Sequence, residues 1–296
     1  MSNDSPARDS SSRALSWVPS DREIQRQAAR KAIARKKATI AVISSAIVLG
    51  TLITFVVTSP GWEVVKTTFF DWSYGGQVLG VVAKGLLVNL KLTLIASVLI
   101  GIFAMTLALL RTSRSAALTP FRILATAYVD IFRGVPLLLV ILLVGFGVPA
   151  LGIKGLTNSV LILVTTAVVL TYSAYVAEVL RSGILSVHPS QRAAARSLGL
   201  TAPQTMRFVV LPQAIKRVVP PLLNDLVALL KDTGLVSILG VTDAVRAAQI
   251  ASSRTFNYTP YVTAAILFLF ITIPLTRYTD RVLAKSISRQ NAQGAA

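Results

Sequence analysis

The chain of 296 residues has no cysteine and a single histidine, His188. Disulfides are excluded, and so is a zinc site of the Cys/His type. Charge is scarce: Asp, Glu, Lys and Arg make up 14% of the chain, where a soluble domain carries about a quarter. Acidic residues are the scarcest, 12 against 30 basic ones, for a net charge of +18. No G-x-x-x-x-G-K-[ST] phosphate loop occurs, so the chain does not hydrolyse ATP by that route. Metalloprotease spacing is also missing, and no internal repeat marks an inverted-repeat secondary carrier.

What is present is apolar: 53% of residues are hydrophobic, in long runs. A spanning helix needs roughly 20 mostly apolar residues. Residues 39–58 meet that without a charge, and 92–110 nearly so. Further candidates are 121–150, 160–179, 220–241 and 261–276, the fifth weakened by Lys231 and Asp232. The predicted fold class is therefore an all-α integral membrane protein with about six transmembrane helices.

In a soluble protein a charge of +18 would suggest nucleic acid; here its placement reads as topology, with no nucleic acid partner. If the N-terminus is inside, the inside segments receive Arg8, Arg13, the run from Arg22 to Lys37, Arg111, Arg114, Arg122, Arg181 to Arg217, and Arg277 to Arg289. The outside receives only Lys66, Lys84, Lys91, Lys154, Arg246 and Arg254. Basic residues of cytoplasmic loops fix orientation, so both termini are expected in the cytoplasm.

Residues 1–19 are polar and Ser-rich and read as disordered. Ser20 and Glu23 form a capping box ahead of a basic helical stretch ending near Lys37, which anchors topology beside anionic lipid. Residues 60–80 read as an outside loop whose Trp62, Trp72 and Tyr74 suit the interface belt.

The inside loop, residues 182–219, is the most informative segment. Pro189 sits where a first helical residue would, and Gly199 where a helix would end. Between them lies an Ala-rich helix with Arg192 and Arg196 one turn apart; Ala193, Ala194 and Ala195 leave a surface another protein can approach closely. Thr201 and Gln204 make a second capping box, and the helix that follows presents Met206, Val209 and Val210 before Pro212 interrupts it. Two short helices joined at a glycine look like a docking surface; an ordinary inside loop is the plain alternative.

The spacing resembles the EAA loop of the membrane subunits of ATP-binding-cassette importers: Ala194, Ala195, Gly199, Val209, Leu211 and Pro212 fall on that pattern, with Ala193 standing where the family has Glu. Phe132-Arg133-Gly134-Val135-Pro136-Leu137 resembles the FRGTP-type element of the polar-amino-acid branch (histidine, glutamate, glutamine, arginine, opine). Tyr175, Ala177, Glu178, Arg181 and Gly183 match its lead into the loop; Pro220 to Asn224 and Leu230 to Thr233 match the element after it, with Gly234 where Ser is usual. The likeness covers residues 80–283. It implies a multi-pass plasma-membrane permease for a polar or charged amino acid, with a coupling-helix hairpin at 187–219. It also implies a second permease subunit, two ATPase subunits that carry the ATP, and an external solute-binding protein. The chain would then divide into a basic tail (1–38), an extra first helix (39–58), an external loop (59–79), a five-helix core (80–284) and a tail (285–296). No cofactor bound by the chain itself is expected.

Charged side chains at membrane depth are costly and usually face a cavity or one another. Asp130 and Arg133, three apart, share a helical face and can pair, and Gly134 with Pro136 loosens the helix beside them. With Glu178 they are the candidate substrate path: an arginine for a carboxylate, carboxylates for an ammonium. Lys231 and Asp232 are expected as a structural ion pair, Asp225 lies near the inside surface, and His188 starts a helix. The competing readings are an ion-coupled secondary carrier working without an ATPase, and an intramembrane enzyme, whose only histidine would lie in the inside loop.

Overall fold

A computed structural model describes residues 20–113 and 115–294, with side chains through 284. The expected disordered tail, with Arg8 and Arg13, and the inside charge Arg114 lie outside the described residues. All regular structure among those described is helical. The chain divides into two units, residues 1–63 and 64–296.

The first unit is dominated by α1, Asp21–Val57. Ser20 caps it by accepting from the Glu23 N–H at 3.4 Å, and Asp21 and Glu23 sit in the first turn, where the helix dipole favours acid. The Glu23 carboxylate accepts from Gln27, so only half of the expected box forms. The basic stretch and the first apolar run are one uninterrupted helix, because no Gly or Pro separates Lys37 from Thr39. Its 37 residues rise about 55 Å at 1.5 Å each.

The second unit carries α2, Trp62–Phe69, across its boundary and continues with α3, Trp72–Thr112. α3 starts twenty residues before the apolar run that announced it at 92, with Asp71 as its cap, accepting from the Tyr74 N–H at 3.0 Å. Two of its early glycines, Gly75 and Gly85, are contact points. A Cβ on Gly85 would lie 2.5 Å from the backbone of Asp243, and one on Gly75 3.2 Å from Thr259.

The run 121–150 is two helices, α4 (Thr119–Gly134) and α5 (Leu137–Ala150), bent by 107°. Pro136 offers no N–H, and Val135 takes the extended conformation a following proline enforces. The loosening expected at Gly134 and Pro136 is thus a full break. α6, Val160–Leu185, packs most extensively on α3. Their interface is built from small and β-branched residues such as Ala96, Ala104, Val164, Ala167 and Val168, which let helix backbones approach.

Beyond α6 come α7 (Pro189–Ser197), α8 (Ala202–Thr205) and α9 (Leu211–Asp232). α9 departs from the expected span 220–241: it begins nine residues earlier and passes through Pro220 and Pro221. A 3₁₀ turn over Thr233–Leu239 follows, ending at Gly240. Lys216, Arg217, Asp225, Lys231 and Asp232 interrupt every stretch of α9 long enough to cross a membrane. α10 (Ala244–Thr255) and α11 (Thr259–Gly294) close the fold. A second apolar cluster, Val78, Val82, Leu86, Ala244, Ala248 and Ala264, joins them to α3. Among the described residues, four helices are long and apolar enough to span, or five if α4 and α5 count as one broken span, in place of the six expected.

Candidate functional site

The inside loop folds as its local signals dictate. His188 caps α7, accepting from the Ser190 N–H, with Pro189 in the first turn. Gly199 ends it at φ +85°. The Gly199 N–H donates to the Arg196 carbonyl (3.0 Å) and the Leu200 N–H to the Ala195 carbonyl (3.2 Å), the double bond of a glycine-terminated helix. Thr201 and Gln204 form both halves of their capping box, at 3.4 and 2.8 Å.

Two details depart from the sequence reading. Pro212 does not interrupt the second helix. A five-residue π turn, Met206–Val210, leads into α9, and Pro212 sits in its first turn, where a missing N–H costs nothing. The alanines also do not share one surface: Ala193 and Ala194 are exposed, whereas Ala195 is buried. Gly199 and Pro212 are exposed, and Val209 and Leu211 half-buried. Leu198, 82% exposed, and Phe208, 62% exposed, supply outward apolar bulk that the pattern did not single out. Arg207 lies over the Phe208 ring at 5.6 Å.

The second cluster centres on Glu178 of α6. Arg181, one turn on, donates from Nη2 to Oε1 at 2.5 Å; Arg111, at the end of α3, donates from Nη1 to Oε2 at 2.6 Å. Arg133, at the end of α4, reaches the same carboxylate only at 3.9 Å and keeps 43% of its side chain exposed. Asp130 is exposed and forms no ion pair with Arg133 among the described residues. The distant carboxylate wins because three helices converge there. Both Glu178 oxygens are already engaged, which fits a group that orders its surroundings better than one that meets a substrate ammonium. Arg111 was missed in the sequence; its signal was a lone arginine closing an apolar run.

Lys231 and Asp232 are not a pair either. Neighbours on a helix point about 100° apart; Lys231 is exposed, and Asp232 accepts from the Tyr172 hydroxyl at 2.7 Å. Tyr172 also lines a cavity of about 440 Å³ with Ser97, Ile100, Val176, Leu222 and Asp225. One Asp225 carboxylate oxygen is buried there without a hydrogen-bond partner among the described residues.

A third polar group is wholly internal. Asn89 and Asp243 are 0% exposed. The Asn89 amide donates to Asp243 (3.0 Å) and Thr233 (3.1 Å), and its oxygen accepts from the Ala244 N–H (3.1 Å). Burial pushes the Asp243 carboxyl above its usual range, and the hydrogen bonds from Arg246 N–H and Asn89 pull it back only in part.

A bundle of candidate spanning helices with a broken helix, interior charges and a capped hairpin between two of its helices is the architecture of a multi-span membrane protein. Residues 113–287 match the pattern of the binding-protein-dependent transport system inner membrane component, and the chain belongs to that family. A Rickettsia conorii protein described as a putative glutamine transport system permease is 35% identical over 207 residues, covering 70% of this chain and 92% of its own length. An arginine transport system permease of Bacillus subtilis is 32% identical over 196 residues, covering 66% and 87%. Among solved structures, an amino acid ABC transporter with histidines is 34% identical, with a TM-score of 0.62 over 68% of this chain and 92% of that one. The chain is thus a permease subunit of an ATP-driven importer, a transport protein that is multi-pass in the plasma membrane. The ion-coupled carrier is ruled out.

Proposed function

We propose that this permease moves a polar or charged amino acid inward, drawing on ATP hydrolysed by partner subunits. The observation that carries the substrate class is the likeness to glutamine and arginine permeases over nearly their whole length. The proposed complex pairs it with a second permease subunit, the same or homologous, two ATPase subunits and an external solute-binding protein. The ATPases dock on the hairpin, residues 187–219, at Ala194, Gly199, Val209, Leu211 and Pro212, with Leu198 and Phe208 as apolar anchors. ATP stays on the partners, and no cofactor is bound by this chain. The division into tail, extra first helix and a core over 80–284 accompanies this reading.

Both termini lie in the cytoplasm, on the strength of the basic-residue asymmetry. The cysteine-free chain makes this easy to check: on intact cells an impermeant thiol reagent should label Thr67→Cys and spare Ser10→Cys. The reverse pattern refutes the orientation.

The substrate path runs past Arg133, with Asp130 and Glu178 beside it. Support comes from the exposed guanidinium of Arg133, held by only a 3.9 Å contact, which leaves its planar fork free for a carboxylate. Arg133→Lys keeps the charge and loses the fork. It should assemble with its ATPase and hydrolyse ATP normally while transport falls about tenfold or more, the loss of a bidentate contact. Full transport by this variant refutes the path.

A further inference from the structure

α6 ends at Leu185, and the last carbonyls of a helix find no partner inside it. Two carbonyls at this end are met by arginines from other helices. Arg192 of α7 donates to the Ile184 carbonyl. Arg217 of α9 donates to the Ser186 carbonyl and, at 3.0 Å, to the Ser186 hydroxyl. Arg192 is only partly exposed; Nη2 makes the bond, and its Nε is buried with no hydrogen-bond partner among the described residues, so the guanidinium lies against the helix end. Arg196, one turn along α7, is equally committed, donating to the Leu200 carbonyl at 2.9 Å. All three arginines donate to backbone carbonyls; Arg192 is turned inward to reach its own, while Arg196 and Arg217 stay exposed.

Position gives this consequence. Between α6 and α7 stand Ser186, Val187 and His188, residues outside both helices whose torsions could absorb a displacement. α9 is already tied to α6 by close packing: a Cβ on Gly183 would collide with the Val218 side chain. α7 packs on α8 and the π turn, and Arg192 fastens it to α6. Glu178, which gathers Arg111 and Arg133, lies on α6 less than two turns before the carbonyl that Arg192 holds.

We infer that Arg192, with Arg217 in support, is a positioning residue that locks the hairpin to the end of α6, so that movement of α7 is delivered to the Glu178 cluster instead of dissipating in the Ser186–His188 turn. The inference rests on the hairpin being the ATPase docking surface.

The test uses the full transporter complex in vesicles, with Arg192→Gln and Arg192→Lys. The Gln variant should retain its ATPase and hydrolyse ATP, while substrate moved per ATP falls about tenfold, within the range seen for residues that carry coupling; Lys, which keeps charge and a donor, should restore most of it. Spin labels on Ser182→Cys and Ser197→Cys give a readout independent of transport. With Arg192 present their separation should be narrow and unchanged by ATP, and in the Arg192→Gln variant it should broaden. Wild-type transport per ATP, or an unbroadened separation, overturns the inference. So does loss of the ATPase from the Gln variant alone, since Arg192 would then belong to the docking face. A chain with native Arg192 that never retains an ATPase refutes the docking reading itself. If Arg192→Gln does not fold, Arg217→Gln carries the same measurements.

Discussion

Two carboxylates inside the helical bundle are accommodated in opposite ways. Glu178 is gathered by guanidinium groups from the ends of α3 and α4 and from its own helix, and remains 22% exposed. Asp243 is 0% exposed and meets only neutral donors, the Asn89 amide and backbone N–H groups. An ion pair weakens gradually with distance, whereas a hydrogen bond fails over a few tenths of an ångström. The Arg133 contact at 3.9 Å shows such slack; the Asn89–Asp243 knot has none, because Gly85 lets the α10 cap rest directly on α3. The first arrangement suits a place where helices shift, and the second a place where they must not.

That contrast can be broken at either end. The largest effect is expected from Glu178→Gln, which strands Arg111, only 10% exposed, without a counter-charge. Removing one partner of this part-buried pair costs up to about 3 kcal/mol, so thermal unfolding in detergent should move down by several degrees; an unchanged midpoint would mean the arginines find other partners. Gly85→Ala comes next. Its Cβ would lie 2.5 Å from backbone that cannot swing aside, an overpacking of about 2 kcal/mol, read in the same melt. Tolerance of alanine would show that α3 and α10 are free to separate.

Asp243→Asn should be mildest, about 1 kcal/mol for one hydrogen bond replaced by a clash of amides. It also sharpens the comparison through pH. Because burial raises the Asp243 carboxyl, the folded protein holds that proton more tightly than the unfolded chain. Its contribution to stability is therefore greatest at low pH and declines as pH rises from the unfolded-state value through the folded-state one. Asp243→Asn should flatten that decline in the melting temperature, and an identical slope in both proteins would assign it to another group.

The hairpin was the most legible part of the chain because its signals are local: Pro189, Gly199 and the Thr201–Gln204 box act on backbone within a turn of themselves. Apolar runs likewise announced α6 and α11. Their ends were less legible, since α3 extends back to Trp72 through residues that read as loop until α11 is seen to pack against Gly75. Pairing was the least legible. Helical spacing could suggest only near neighbours, Asp130 with Arg133 and Lys231 with Asp232, whereas the contacts formed cross 67 positions for Arg111–Glu178 and 60 for Tyr172–Asp232. The knot gave one clue, a lone Asn89 in an apolar stretch, but nothing pointed to Asp243, 154 positions on.

The π turn at Met206–Val210 has a consequence for rotational phase. A wide turn accommodates one residue more than an α-helical path of the same rise, and each residue of an α-helix turns the chain by about 100°. Were these five residues α-helical, α8 and everything it carries would face a different quadrant about the axis of α9. The direction in which Leu198 looks out from the bundle is thus set by one surplus residue, as the offset of a single tooth sets the timing of two meshed gears.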